Sequence, residues 1–138
     1  MSLLRRITTT LMKPIIKKAI LNATSKALAT YGTTGVHVVP VSMVRVDQDQ
    51  IWLFNFFMSQ TVANIIEQPQ VALACWNGLT GVQIKATVEY ETEGERFNDA
   101  AAWVARENPD RTVRGVLILS PTHYFDVSAS KERAGKPL

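Results

Sequence analysis

The segment from residue 27 to residue 77 constrains the fold more than any other part of the chain. Extended runs alternate there with turn-forming residues, which predicts a strand at 26–31, a glycine turn and a long strand at 36–46. Pro40 marks an edge or a bulge in that long strand. A polar turn at 47–50 separates it from an aromatic strand at 51–57. The segment predicts antiparallel strands joined by short turns.

The remaining elements continue the pattern without a repeated strand–helix–strand alternation. Residues 81–92 alternate apolar and polar side chains, as a half-buried strand does. The other predicted elements are a short helix at 61–68, a strand at 71–76, a helix at 95–107, strands at 113–119 and 123–127, and a polar tail at 128–138. Six or seven strands with two inserted helices predict a mainly β fold, a β-barrel with accessory helices.

Composition limits the class of protein. The chain has 138 residues, of which 46% are hydrophobic, and we expect one domain spanning residues 1–138 with its own core. No apolar run is long enough for a membrane-spanning helix, and no signal peptide is recognisable, so we expect a cytoplasmic protein. The single cysteine, Cys75, excludes an internal disulfide and is expected to be a buried thiol.

The basic groups are unevenly distributed along the chain. Residues 1–46 carry seven Lys or Arg side chains and no acid, and residues 1–22 have the apolar spacing of one or two amphipathic helices divided at Pro14. Such a segment can lie on an anionic membrane or approach nucleic acid. We favour a helix that caps the barrel and expect no nucleic-acid partner. In that arrangement Leu11, Ile15, Ile16 and Ile20 pack on the barrel, and Lys13, Lys17 and Lys18 remain in water.

The side chains that usually carry catalysis show no active-site pattern. The two histidines, His37 and His123, have no metal-ligand spacing, and we expect no metal site. Neither a nucleophile elbow nor a phosphate-binding loop motif is present. The glutamates at 89, 91, 93 and 95 alternate along a strand and its exit turn, as on a solvated face. If the protein is an enzyme, a cofactor supplies its reactivity.

Several motifs in order resemble the pyridoxamine 5′-phosphate oxidase-like family of FMN-binding split barrels, especially its small FMN-binding proteins. The resemblance covers residue 27 to the end of the chain. It implies a six-stranded Greek-key split barrel that forms a homodimer, with one FMN at each of two symmetric interface sites. The motifs are ALAT at 27–30, GVHVVPVS at 35–42, IWLFN at 51–55, SQTVANI at 59–65, QPQVAL at 68–73, GVQIKATV at 81–88 and YFDVS at 124–128.

The same resemblance implies three groups of cofactor-binding residues. One group lines the flavin, a second flanks the isoalloxazine ring, and a third holds the phosphate at the start of the short helix. The chain departs from the family at the third group, because both positions where the family has Lys or Arg are neutral and no cation occurs between residues 46 and 84. Arg45, Lys85 or a C-terminal cation of the partner subunit could replace them. The three groups are Pro40, Val41 and Ser42; Asn55, Phe56 and Phe57; and Ser59, Gln60 and Thr61.

We therefore expect an FMN-dependent oxidoreductase or electron carrier that acts on a small acceptor. Two alternatives stay open. One is a split barrel that has lost FMN and binds a deazaflavin, haem or a nucleotide, and the other is an interaction module acting through the basic N-terminal helix. For the homodimer, we expect the aromatic strand with Trp52, Phe54 and Phe56 to bury against a second copy, with Phe57 and Trp76 close by.

Overall fold

Seven strands and three helices make up the part of the chain that the computed structural model describes, residues 11–138. All strand pairings are antiparallel. In chain order the elements are α1 Pro14–Asn22, β1 Ser25–Gly32, β2 Gly35–Pro40, β3 Val44–Asp47, β4 Gln50–Asn55, α2 Ser59–Glu67, β5 Gln70–Asn77, β6 Thr80–Glu91, α3 Glu95–Glu107 and β7 Gly115–Asp126.

The strand order shows how the sheet closes. The strands are arranged β2-β1-β5-β6-β7-β4-β3, so β2 and β3 are the two outermost strands. Only residues 41–43 connect these two strands along the chain, and the sheet must therefore curl until its edges meet. The backbone N–H of Val41 donates to the carbonyl of Lys26 at 2.9 Å, which holds the connection against β1. This is a split barrel, and the predicted mainly β fold is confirmed.

Two strand boundaries differ from the sequence prediction. The predicted long strand at 36–46 is divided at residues 41–43 into β2 and β3. The two predicted final strands are one continuous strand, β7. Lys85 pairs with His123 and Ala86 with Pro121, so Thr122 is the additional residue of a β-bulge. A bulge accommodates Pro121, which has no N–H to donate to the ladder.

Strands β4 and β7 are buried on both faces. Ile51 and Leu53 point into the barrel, whereas Trp52 and Phe54 point outward and are covered by α3. The ring of Trp103 on α3 stacks on Phe54 with centroids 5.3 Å apart. The outer core comprises Trp52, Phe54, Phe56, Ala100, Val104, Val116 and Ile118.

This arrangement corrects the expected role of the aromatic strand. Trp52, Phe54 and Phe56 are buried by a helix of their own chain, so they do not need a second copy to cover them. The expected cluster with Trp76 is also wrong. Trp76 lies at the far end of β5, where it pairs with Ser25 and Gly81.

Helix α1 packs against the barrel along a narrower stripe than predicted. Ile16 and Ile20 are buried as expected, but Leu11 and Ile15 are 77% and 75% exposed. The three lysines at 13, 17 and 18 are exposed, as expected. Pro14 is the first residue of this helix, where its missing N–H costs nothing. The part of the predicted helical segment before residue 11 lies outside the described residues.

No helix within residues 11–138 is long and apolar enough to cross a membrane.

Candidate functional site

A cleft of about 220 Å³ lies beside the connection between β2 and β3. One wall is the chain around that connection, and the other is the end of β4 with the turn that follows it. Five of the nine predicted cofactor residues line the cleft. Its lining residues are Val39, Pro40, Val41, Ser42, Met43, Phe54, Phe56, Phe57, Met58 and Arg111.

Asn55 shapes the second wall from behind. Its side chain is 7% exposed, and both ends of its amide bond to other protein groups. The Oδ1 atom accepts a hydrogen bond from the backbone N–H of Met58 at 2.7 Å, and Nδ2 donates to the hydroxyl of Tyr90 at 2.8 Å. These bonds fix the turn between β4 and α2. They place Phe57 at the surface with 86% of its area exposed, whereas Phe56 is buried.

Two arginines from the loop before β7 reach this site. The guanidinium of Arg111 lies 4.7 Å from the centroid of the Phe56 ring and donates a hydrogen bond to Ser42 Oγ at 3.1 Å. The guanidinium of Arg114 lies 5.3 Å from the centroid of Phe57. The cleft therefore has a positively charged rim.

The sequence prediction missed both arginines. Strands β4 and β7 pair with Asn55 opposite Gly115, so the residues before Gly115 lie beside those after Asn55. The backbone N–H of Arg114 donates to the carbonyl of Asn55 at 2.9 Å, which continues this pairing. If the pairing of the aromatic strand with the last strand had been predicted, Arg111 and Arg114 would have been placed beside Phe56 and Phe57.

The start of α2 is arranged differently from the expectation. Ser59 and Gln60 are exposed, but neither lines the cleft. Thr61 is 0% exposed, and among the described residues its hydroxyl has no hydrogen-bond partner. The expected direct contact of Thr61 with a phosphate is therefore wrong for this conformation. Gln60 donates to Asn64 Oδ1 at 2.9 Å along its own helix.

The two cations proposed from sequence as substitutes lie elsewhere. The guanidinium of Arg45 is 4.8 Å from the ring centroid of Trp52 and forms an ion pair with Asp99 at 3.3 Å, which holds it against α3. Lys85 lies over the ring of Phe125 at 5.4 Å on the opposite part of the sheet. Neither residue lines the cleft.

The cleft residues suit part of an FMN molecule. Aromatic rings can stack on an isoalloxazine ring, and a guanidinium can bind the carbonyl edge of the ring or the phosphate. The volume of about 220 Å³ is below the roughly 300–1,000 Å³ of pockets that enclose a small molecule. One chain would therefore leave part of the cofactor uncovered.

A larger hollow of about 530 Å³ lies on the outer surface of β1, β5 and β6. Its floor contains small side chains, among them Ala29 and Ala72, and its rim includes Tyr31, Lys85 and His123. None of the predicted cofactor residues lines it. It shares Ala29, Val36 and Ala72 with the outer face of β1, β2 and β5.

Comparison with known proteins gives consistent matches over almost the whole chain. A family model described as pyridoxamine 5′-phosphate oxidase matches residues 12–128. An uncharacterized protein of Methanocaldococcus jannaschii is 29% identical over 114 residues, which cover 79% of this chain and 76% of that protein. The crystal structure of HupZ from Group A Streptococcus has a TM-score of 0.77 at 22% identity, covering 91% of this chain and 99% of that one. An FMN-binding protein of Syntrophomonas wolfei has a TM-score of 0.73 at 17% identity, covering 94% and 95%.

Proposed function

The chain belongs to the pyridoxamine 5′-phosphate oxidase family, and on that premise we propose that it binds FMN and acts as an oxidoreductase or electron carrier toward a small acceptor. The observation that carries this proposal is the cleft in which Pro40 and Ser42 face Phe56 and Phe57, with Arg111 between the two walls.

The residues of the cleft have separable roles in this proposal. Phe57 offers an exposed aromatic face for stacking, whereas buried Phe56 supports the guanidinium of Arg111. Strand pairing stops at Pro40 and resumes at Val44, so the backbone of Ser42 and Met43 lies outside the ladder and can bond to a ligand. Bound FMN would supply reversible one- or two-electron chemistry that protein side chains lack. The chain itself binds and orients the ring and shields one face from water.

We also propose that the protein works as a homodimer in which the second copy completes the cleft. The outer face of β1, β2 and β5 exposes apolar side chains over a floor of alanines. Val36 is 82% exposed and Val38 is 61% exposed, and Val38 pairs with Ala29, which pairs in turn with Ala72. Strand β2 continues from this face to Pro40 in the cleft. A copy that covers this face would therefore also approach the uncovered part of a bound cofactor.

A different ligand in the same cleft is the second candidate. The first turn of α2 has no cation and its Thr61 hydroxyl is buried, so the site resembles the family's phosphate-binding element only in part. A deazaflavin, haem or a nucleotide would also present an aromatic plane to Phe57 and an anionic group to Arg111.

Titration with candidate ligands tests the proposal. Purified protein freed of any bound ligand is titrated with FMN, haem, a deazaflavin and a nucleotide, and binding is followed by absorbance and flavin fluorescence quenching. We expect one FMN bound per chain, with affinity reduced in Phe57→Ala and unchanged in the control Leu79→Ala. Leu79 is similarly exposed, at 78%, but lies in the β5–β6 turn. Saturation by another ligand without FMN binding would favour the second candidate.

A further inference from the structure

We propose that Arg111 and Arg114 together form the phosphate subsite of the cleft and make the protein prefer FMN to riboflavin. This inference rests on the proposed function, because it assigns the charge that holds one end of the cofactor. The sequence has no cation between residues 46 and 84, yet the fold places the guanidinium groups of Arg111 and Arg114 over the rings of two consecutive residues at the cleft, Phe56 and Phe57.

The two guanidinium groups, which we call the arginine pair, each lie over an aromatic ring. Arg111 stacks on Phe56 and Arg114 on the next residue, Phe57, at 4.7 and 5.3 Å. Stacking on an aromatic face orients the planar guanidinium and lowers the conformational freedom that a ligand would otherwise have to restrict. Their loop is tied to the protein by backbone hydrogen bonds from Arg111 to Asn108 and from Arg114 to Asn55. The pair is therefore positioned before a ligand arrives.

Neither arginine is neutralised by an acid. Every ion pair among residues 11–138 involves Arg45 or Arg96, and the remaining residues, 1–10, contain no Asp or Glu. A guanidinium carries five N–H donors, of which Arg111 uses one for Ser42. Two cations held over consecutive rings, with unused donors, suit a doubly charged phosphate, which can accept several charge-assisted hydrogen bonds at once.

The pair also explains how a neutral α2 can belong to an FMN site. Phe57, under Arg114, is two residues before Ser59, the first residue of the helix. The exposed Ser59 and Gln60 offer hydrogen bonds without charge. The arginines, from a loop distant in sequence, contribute the charge that these residues lack.

Riboflavin and FMN differ only in the phosphate, so their affinity ratio isolates this subsite. We would measure both dissociation constants for the full chain, for Arg111→Gln, and for the Arg111→Gln/Arg114→Gln double variant. The loss of one charge-assisted bond corresponds to about ten- to hundredfold weaker FMN binding. Riboflavin affinity is expected to change by less than about threefold, because the ring contacts remain. The FMN affinity of the full chain should also fall with salt, and that dependence should flatten in the double variant.

Arg106→Gln is the matched control, since Arg106 is exposed on α3 away from the cleft. It should leave both affinities unchanged. Equal losses for FMN and riboflavin in Arg111→Gln, or an unaltered ratio in the double variant, would overturn the phosphate subsite while the flavin-binding proposal stands. Failure of the full chain to bind either flavin would overturn both proposals. Retained riboflavin binding by each variant shows that it is folded, and Arg111→Lys should recover part of the FMN preference by restoring charge without the planar fork.

Discussion

The hydroxyl of Tyr90 accepts a hydrogen bond from the Asn55 amide at 2.8 Å, and this contact fixes the turn that carries Phe56 and Phe57. Tyr90 belongs to β6 and Asn55 to the end of β4, so the bond spans the strand between them, β7. It can do so because Gly115 on β7 has no side chain, and a methyl group there would collide with the Tyr90 hydroxyl. The cleft wall therefore depends on a residue that does not touch the cleft.

Replacing Tyr90 by Phe should destabilise the protein by about 1–3 kcal/mol, because the Asn55 amide loses its partner in a largely buried position. Urea unfolding of the variant measures this cost. Tyr31→Phe is the control, since its hydroxyl donates to Gln68 at an exposed site. Its effect should be within about 0.5 kcal/mol. Equal costs for the two variants would show that the Asn55 contact does not stabilise the turn.

Helix α1 should stabilise the barrel through Ile20. This side chain is 0% exposed, and Ile20→Ala should cost about 2–5 kcal/mol through lost burial and the remaining cavity. Ile15, five residues earlier on another face of the same helix, is 75% exposed, and Ile15→Ala should change stability by less than about 0.5 kcal/mol. Chemical denaturation of both variants provides the comparison.

Deleting residues 1–22 extends the same test, and we expect a lower melting temperature. Unchanged stability accompanied by lost binding to liposomes or DNA would contradict the capping role and favour an interaction role for this segment.

A cation introduced at Gln60 should partly substitute for the arginine pair. In isolation, a charge-assisted bond at this exposed position of α2 would tighten FMN binding by about three- to thirtyfold. With Arg111 present, Gln60→Lys should raise FMN affinity by the lower end of that range. In the Arg111→Gln background, the same substitution should raise FMN affinity by more. Fluorescence titration of the single and double variants measures this coupling. Independent effects would mean that Gln60 and Arg111 do not act on the same group.

Thr61→Ala tests whether the start of α2 contacts the phosphate, because this variant should leave FMN affinity unchanged. The Thr61 hydroxyl is buried without a hydrogen-bond partner among residues 11–138, so its removal should not weaken FMN binding. A clear loss of affinity in a fully folded Thr61→Ala variant would restore the phosphate contact implied by the sequence.

Cys75 should be unreactive in the folded protein. Burial raises the pKa of its thiol to about 12 from an ordinary 9.0, and nearby Lys26 offsets only part of this. The unfolded chain loses the proton first, so stability should fall as pH rises from about 9 toward 12. Burial also raises the pKa of Tyr124 to about 12, which adds a slope of the same sign.

Unfolding measured across this pH range should therefore show a shallower decline in Cys75→Ala, with the Tyr124 contribution retained. Rapid modification of the native thiol by a maleimide at pH 7 would contradict its burial.

Charge on the alanine-floored sheet face should disrupt the proposed dimer. Val38→Glu places a carboxylate opposite Ala29 on that face, whereas Leu79→Glu places one in an exposed turn. Sedimentation at micromolar concentration should show a dimer for the full chain and Leu79→Glu, and a monomer for Val38→Glu. A monomeric full chain would reject the dimer.

Sequence patterns determined the elements whose signals are local. Helix α3 spans the predicted residues, because its caps and helical periodicity lie within one segment. Pro40 indicated an edge or a bulge in the long strand, but an extended run does not show that its hydrogen-bonding partner changes from β1 to β4. Helix α3 covers Trp52 and Phe54, and Arg111 contacts Phe56, through residues about fifty positions apart in the chain. Local sequence patterns do not predict such contacts.

The three residues that join the outermost strands also form a wall of the cleft. A ligand bound there would contact the chain between the two outermost strands of the sheet. Ligand binding and closure of the barrel would therefore be thermodynamically linked. A ligand that binds only the closed form at a hundred times its dissociation constant adds about 2.7 kcal/mol to the free energy of unfolding. The fraction of folded chains would then depend on the concentration of the ligand, because chains without it lack this added free energy.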